Sequence, residues 1–361
     1  MDARTLIARA QYLSGKSNYA EAAKVLRAAL KAALKEEAPN NRLYIGCLTS
    51  IADTQRMTGN YKTAAKNYAK AAATAYEASI EDAALDARLG GALSRRALGH
   101  WQEALNDITQ IRARYEELGD HAGAAFSTWA LAGTLRVKGD INGSIEAFTT
   151  AEGMFNALND ASGTGYCQCG LGGAYRMKGL YDESLRCYTN AGNIFSSNKD
   201  RFGTAYSHCG IGNALRMKLS YGDGLRHLKT ALNMYGKIGD TVSSAYTLWS
   251  IGMLKLMVSD VISGEDFFKA AAARFKKTLD VRGSIYADLG ICQARYLYRH
   301  LGQYKRPLQR AVNNAGIYSL QLEGCHALKL RSIMTETGTA QCYKTIGIRE
   351  LEGESIPLNI P

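Results

Sequence analysis

The chain of 361 residues carries 44 Lys and Arg against 33 Asp and Glu, and this net charge of +11 favours acidic partners or nucleic acid over basic ones. Only four prolines occur, at Pro39, Pro307, Pro357 and Pro361, so everything between Pro39 and Pro307 lacks the strongest helix breaker. With abundant Ala and Leu and a hydrophobic content of 46%, that excludes a sheet-rich chain and points to an all-α protein with a sizeable core.

In chain order, the N-terminal stretch MDARTLIARAQYLSGK lacks the apolar run of a signal peptide, and no later segment stays apolar long enough to span a bilayer. The expectation is a soluble, cytoplasmic protein. Its eight cysteines then read as reduced thiols rather than a disulfide framework, which belongs to short secreted chains. The rest of the chain is periodic. Tyr61, Trp101, Ile141, Tyr181, Tyr221 and Val261 recur at one constant interval, with Tyr19 before them and Tyr304 after. Gly59, Gly99, Gly139 and Gly179 stand just ahead of four of them. A second turn recurs at Gly119-Asp120, Asn159-Asp160, Lys199-Asp200, Gly239-Asp240 and Leu279-Asp280. Units therefore begin near residues 1, 42, 83, 123, 163, 203, 243 and 283, each with two helices. A final helix follows over 323–335, and residues 336–361 leave the pattern.

The glycines of GTGYCQCGLGGAYRMKGLYDESL (163–185) fit neither G-x-G-x-x-G nor a Walker loop, so they are expected to be packing glycines. One position, Ala52, Ala92, Ala132, Gly172, Gly212 and Gly252, is always small, as close helix approach demands. The fifth unit, CGLGGAYRMKGLYDESLRCYTNA, resembles the tetratricopeptide (TPR) repeat in its Leu-Gly, Tyr, Gly-x-Tyr, small residue, Tyr and Ala. The resemblance implies a right-handed superhelical α-solenoid over 1–335, with about eight helix pairs and a capping helix. Units longer than the usual TPR repeat, without its closing proline, are similar to those of Pins/LGN-type adaptors, kinesin light chains or bacterial Rap-type regulators.

Arg56, Arg96, Arg136, Arg176 and Arg216 occupy one position in five successive units, while the first helices 121–138, 161–178, 201–218 and 241–258 contain no Asp or Glu. On the same helical face lie Phe126 and Trp129, then Tyr166 and Cys169, then Tyr206, Cys209 and Asn213, then Tyr246 and Trp249. By resemblance to TPR proteins this face lines the concave groove. An arginine ladder of this kind suits carboxylates, and the aromatic side chains supply apolar anchors.

Other signals are weaker. Cys167 and Cys169 point to nearly opposite sides of a helix; an arrangement with Cys169 and Cys209 facing each other across adjacent units, with His208 nearby, would still fall short of a closed metal site. No metal, cofactor or catalytic set is expected. From Lys269 to Arg331 there are 12 basic residues against Asp280, Asp288 and Glu323, a local 12 − 3 = +9. The tail, with Glu350, Glu352 and Glu354, is read as flexible, or alternatively as an occupant of the basic groove. The reading is a non-catalytic scaffold that binds an acidic or extended segment of another protein. The alternatives are nucleic-acid binding through the groove and the basic C-terminal units, a peptide-sensing regulator, and self-association through the end units.

Overall fold

The computed structural model describes residues 2–34, 41–298, 302–335 and 342–361; residues 336–341 of the tail and Arg299 of the basic stretch lie outside them. Among the described residues there are eighteen helices and no strand. In pairs they are α1 (Ala3–Gly15) and α2 (Tyr19–Ala33), α3 (Asn41–Met57) and α4 (Tyr61–Glu77), α5 (Glu81–Ala97) and α6 (Trp101–Glu117), α7 (His121–Lys138) and α8 (Ile141–Ala157). Then come α9 (Ala161–Lys178) and α10 (Tyr181–Ser197), α11 (Arg201–Met217) and α12 (Tyr221–Ile238), α13 (Thr241–Met257) and α14 (Val261–Thr278), α15 (Val281–Leu297) and α16 (Lys305–Ile317). A single helix α17 (Gln321–Thr335), starting slightly before its expected 323, and the short α18 (Cys342–Thr345) complete the chain.

The two recurring turns explain these boundaries. Asp120, Asp160, Asp200, Asp240 and Asp280 are N-caps, each accepting a hydrogen bond from the N–H three positions on at 2.7–2.9 Å. The residue before each cap is left-handed, with φ between 55° and 82°, and the position is filled in turn by Gly119, Asn159, Lys199, Gly239 and Leu279. The periodic series Tyr61, Trp101, Ile141, Tyr181, Tyr221 and Val261 supplies the first residue of each second helix. Successive helices pack in order, and odd-numbered helices also contact the next odd-numbered one, so the first helices of the units form the inner wall.

Ring-on-backbone packing sets the distance between units. A Cβ on Gly90, Gly170, Gly210 or Gly290 would sit within 3 Å of the ring of Tyr68, Phe148, Tyr188 or Phe268 respectively, carried by the second helix of the preceding unit. Where the register puts Ala130 and Ser250 instead of glycine, the residues at the ring position are Ile108 and Leu228, which have no ring. Size on one side is thus matched by size on the other.

The superhelix also touches itself. Trp101 Nε1 donates to the Tyr318 carbonyl at 2.8 Å, across 217 residues of chain. Gly99 lies against Tyr318, and Gly59 against Val242 and Thr278. Tyr19 packs with Ala205, Tyr235 and Ile238, and Ile141 with Leu322, Tyr343 and Ile348. The turns inside the first four units therefore dock onto units six to eight, the last helix and the tail. Gly59 and Gly99 have φ of 84° and 98°, so glycine here serves both the turn and the close approach.

The described tail is docked rather than loose, which corrects the expectation of flexibility. Tyr343, Ile348, Leu358 and Ile360 are buried, and Lys329 binds Glu350 at 2.7 Å while Arg349 pairs with Glu352. These two glutamates therefore stay outside the groove.

Gly210→Ala should destabilise the array by about 1–3 kcal/mol through overpacking against Tyr188. Gly210→Ala with Tyr188→Leu should recover part of that loss, since Ser250 and Leu228 already form the smaller pairing one unit on. Urea unfolding of the two singles and the double checks this; additive losses would show that ring and glycine are not coupled.

Candidate functional site, an arginine-lined channel

The inner helices and the closing contacts border a half-open cavity of about 710 Å³. Arg56, Arg96, Arg136 and Arg176 line it, with Phe126, Trp129, Tyr166, Tyr206, Cys209, Asn213, Tyr246 and Trp249. Two of the residues read as groove-lining are placed differently. Cys169 is fully buried beneath the wall, its Sγ 3.9 Å from Ser207 Oγ. Arg216 is also fully buried, and the tail covers it.

The four channel arginines have unlike surroundings. Arg56 lies 3.7 Å from Asp53 and donates to the Tyr68 hydroxyl at 3.3 Å. Burial works against its charge, but Tyr68 and Asp53 outweigh this and hold the guanidinium above its ordinary value. Arg96 reaches the next unit, donating to the Ala130 carbonyl at 3.1 Å and Thr134 Oγ1 at 3.3 Å. Burial, then repulsion from Arg136 and Arg56, push Arg96 down to about 10. Arg136 and Arg176 have no acid partner among the described residues, and the buried Nε of each lacks a hydrogen bond. Arg136 lies across Gly173, where a Cβ would collide with its guanidinium.

Aromatic residues join the units as well as lining the cavity. Trp129 and Trp249 each donate from Nε1 to a carbonyl of the next unit, that of Tyr166 at 3.4 Å and of Tyr286 at 2.8 Å. Tyr166 and Tyr246 donate to the cap aspartates of the next units, Asp200 at 2.7 Å and Asp280 at 3.2 Å. Phe126 stacks on Trp129 with ring centres 5.4 Å apart and remains partly open to the channel.

The first helices 121–138, 161–178, 201–218 and 241–258 carry no carboxylate of their own, but the turn residues Asp160 and Asp280 that cap neighbouring helices also line the cavity. Cys169 and Cys209 do not face each other. The repeat register offsets neighbouring helices, so Cys209 Sγ meets Thr247 Oγ1 at 3.4 Å and His208 pairs with His227 at 2.9 Å. In the basic C-terminal stretch Arg282 binds the buried Glu323, Arg295 binds Glu265 at 3.0 Å, and Arg310 binds Asp288. Sequence reasoning missed Arg282, Tyr61 and Tyr286 on the cavity wall. The cap aspartates were visible as a periodic turn, but not as part of the wall.

Burial pushes Asp240 and Asp280 up to about 6, against the hydrogen bonds from Ser243 and from Gly283 and Tyr246 that favour the charged form. The folded chain thus takes up protons at a pH where the unfolded chain does not. Stability from these two groups is fully present below the ordinary carboxylate value and is lost as the pH rises through about 6. Asp240→Asn with Asp280→Asn, which keeps the caps, should remove that dependence. On lowering the pH from 7 to 5 the wild type should gain on the order of 1 kcal/mol per aspartate over the variant. Melting curves at both pH values measure this; a constant gap would mean that the carboxyls titrate normally.

No family model and no curated protein matches the sequence. Solved structures do match the fold. NprR in complex with its cognate peptide NprX aligns with a TM-score of 0.63 at 13% identity, over 95% of this chain and 98% of that one. The Rap conjugation gene regulator of the plasmid pLS20, in complex with the Phr* peptide, aligns at 0.63 and 12%, over 88% and 96%. Cut9 and Hcn1 of the APC/C hetero-tetramer give a match at 0.58 and 13%, over 96% and 76%. At such identities the likeness is one of fold. Also, no helix among the described residues is long and apolar enough to cross a membrane. By helix order, sequential antiparallel pairing and these structural matches, the chain is an all-α repeat protein with the tetratricopeptide fold.

Proposed function

We propose that the channel binds an extended acidic segment of another protein, and that the chain acts as a non-catalytic adaptor or peptide-responsive regulator. The observation that carries this is the pair Arg136 and Arg176, two channel cations without a counter-charge among the described residues. Like charges held close together repel each other, and burial together with the neighbouring Arg136 and Arg56 lowers Arg96. A carboxylate entering the channel relieves that repulsion and can be held bidentately. Neighbouring inner helices stand about 10 Å apart, and an extended chain advances about 3.3 Å per residue. Acidic residues at every third position therefore match successive arginines. The cavity of about 710 Å³ is of a size for a short segment rather than a folded domain. The peptide complexes of NprR and of the pLS20 Rap regulator, which share the fold, support the same reading. The pairing of Arg282, Arg295 and Arg310 with acids leaves fewer cations in the C-terminal units for a nucleic acid to meet.

A fluorescein-labelled peptide with glutamate at every third position should bind in fluorescence anisotropy, and its glutamine counterpart at least tenfold more weakly. Arg136→Ala with Arg176→Ala should lower affinity for the acidic peptide at least tenfold and abolish the preference for it, without lowering the melting temperature. Equal binding of the two peptides, or unchanged affinity in the folded variant, would refute the acidic reading. Arg216 is left out of this variant because it holds the tail.

A further inference from the structure

We infer that Arg216, Gln293 and Trp249 form a subsite that reads the main chain of an extended apolar–Asn–apolar segment, and that residues 358–361 are its exchangeable internal occupant. This rests on the reading that the channel takes a peptide, and it names one segment that fits.

Leu358, Asn359 and Ile360 are held much as a bound peptide would be. Arg216 Nη2 donates to the Ile360 carbonyl at 2.8 Å, and Nη1 donates to Asn359 Oδ1. The Asn359 amide returns a bond to the Arg216 carbonyl at 3.4 Å. Gln293 Oε1 accepts from the Leu358 N–H at 2.6 Å. The holding side chains come from units six and eight, so two separate inner helices grip three consecutive residues. The subsite is also braced from behind. Asn213 Oδ1 accepts from Arg216 Nη2 at 3.1 Å, and the guanidinium lies 5.6 Å from the Trp249 ring centre. Trp249 is itself fixed by its bond to the Tyr286 carbonyl. Leu358 and Ile360 bury their side chains in the main core cluster, and Pro361 borders the open cavity beside the remaining arginines.

The fit is incomplete in a way that makes the occupant replaceable. Arg216 is fully buried, yet the groups it meets are neutral oxygens, with no carboxylate among the described partners. Gln293 Nε2 is buried without a partner. A neutral acceptor stabilises a buried guanidinium less than an anion does. A second segment that reproduces the main-chain bonds, or adds an acid, therefore competes for the site. The apparent affinity of any such ligand is reduced by the fraction of molecules in which the internal segment is seated.

The test uses the full chain and a labelled synthetic copy of residues 350–361, with anisotropy as readout. Asn359→Ala in the protein removes bonds from the internal segment alone and should tighten probe binding about tenfold. The same substitution in the probe should weaken its binding by a similar factor. Independently, hydrogen exchange on the unaltered protein should show the Leu358 and Ile360 amides exchanging faster when the probe is saturating. Probe affinity that does not respond to Asn359→Ala in the protein, absence of probe binding, or unchanged exchange at those amides would overturn the proposal. If Asn359→Ala fails to fold, the exchange experiment decides. The two readings fail separately. Loss of the glutamate preference with this cycle intact would remove the acidic ligand and keep the subsite, and the reverse would remove the subsite alone.

Discussion

The contact between an outer-helix ring and the bare backbone of the next inner helix is the constraint on which the rest of the molecule depends. Tyr68, Phe148, Tyr188 and Phe268 each occupy space that a methyl group on the facing glycine would fill. Close-packed interiors tolerate little change of this kind, so ring and glycine together fix how near one unit lies to the next. Repeated along the chain, that small geometric step accumulates until the turns of the first four units meet units six to eight, the last helix and the tail. An array with looser spacing would leave an open groove. Here the groove is partly closed over into a channel.

Enclosure changes what an arginine does. On an open concave face, a column of guanidinium groups would be hydrated and screened, and each would contribute little. In the half-open channel the same groups stand near one another, so the cations depend more on whatever polar partners the wall provides. Arg56 has an acid and a tyrosine, Arg96 a carbonyl and a threonine, and Arg216 the docked tail. Arg136 and Arg176 face the cavity with less, so polar satisfaction is graded along the column and is lowest in the middle of the channel.

The architecture was legible because its determinants recur. The residues that begin the outer helices, the cap aspartates and the arginine column all repeat at a single interval, and a periodic backbone carries a periodic sequence into register. What does not repeat was hidden. Arg216 stands in the same column as Arg176, but it meets Ile360, 144 residues further on, in a segment with no period. Cys169 and Tyr166 share a helical face, yet the offset between adjacent helices places one in the seam and the other on the wall. The pairing of Tyr188 with Gly210, and of its counterparts in other units, was present in the residues from the start. It becomes meaningful only when the two positions are known to touch.

Self-contact also alters the thermodynamics expected of a repeat array. A linear solenoid is nearly one-dimensional, so each unit answers to its two neighbours and ends can fray without cost to the middle. The bond from Trp101 to Tyr318 and the packing of Tyr19 on Tyr235 connect units far apart in sequence. Such contacts carry a large loop-closure entropy and raise the contact order, so they form after the local helix pairs. Once formed, they connect the first units to the last. Fraying at either end then opens the ring, and the stability of the N-terminal units becomes a property of the whole chain.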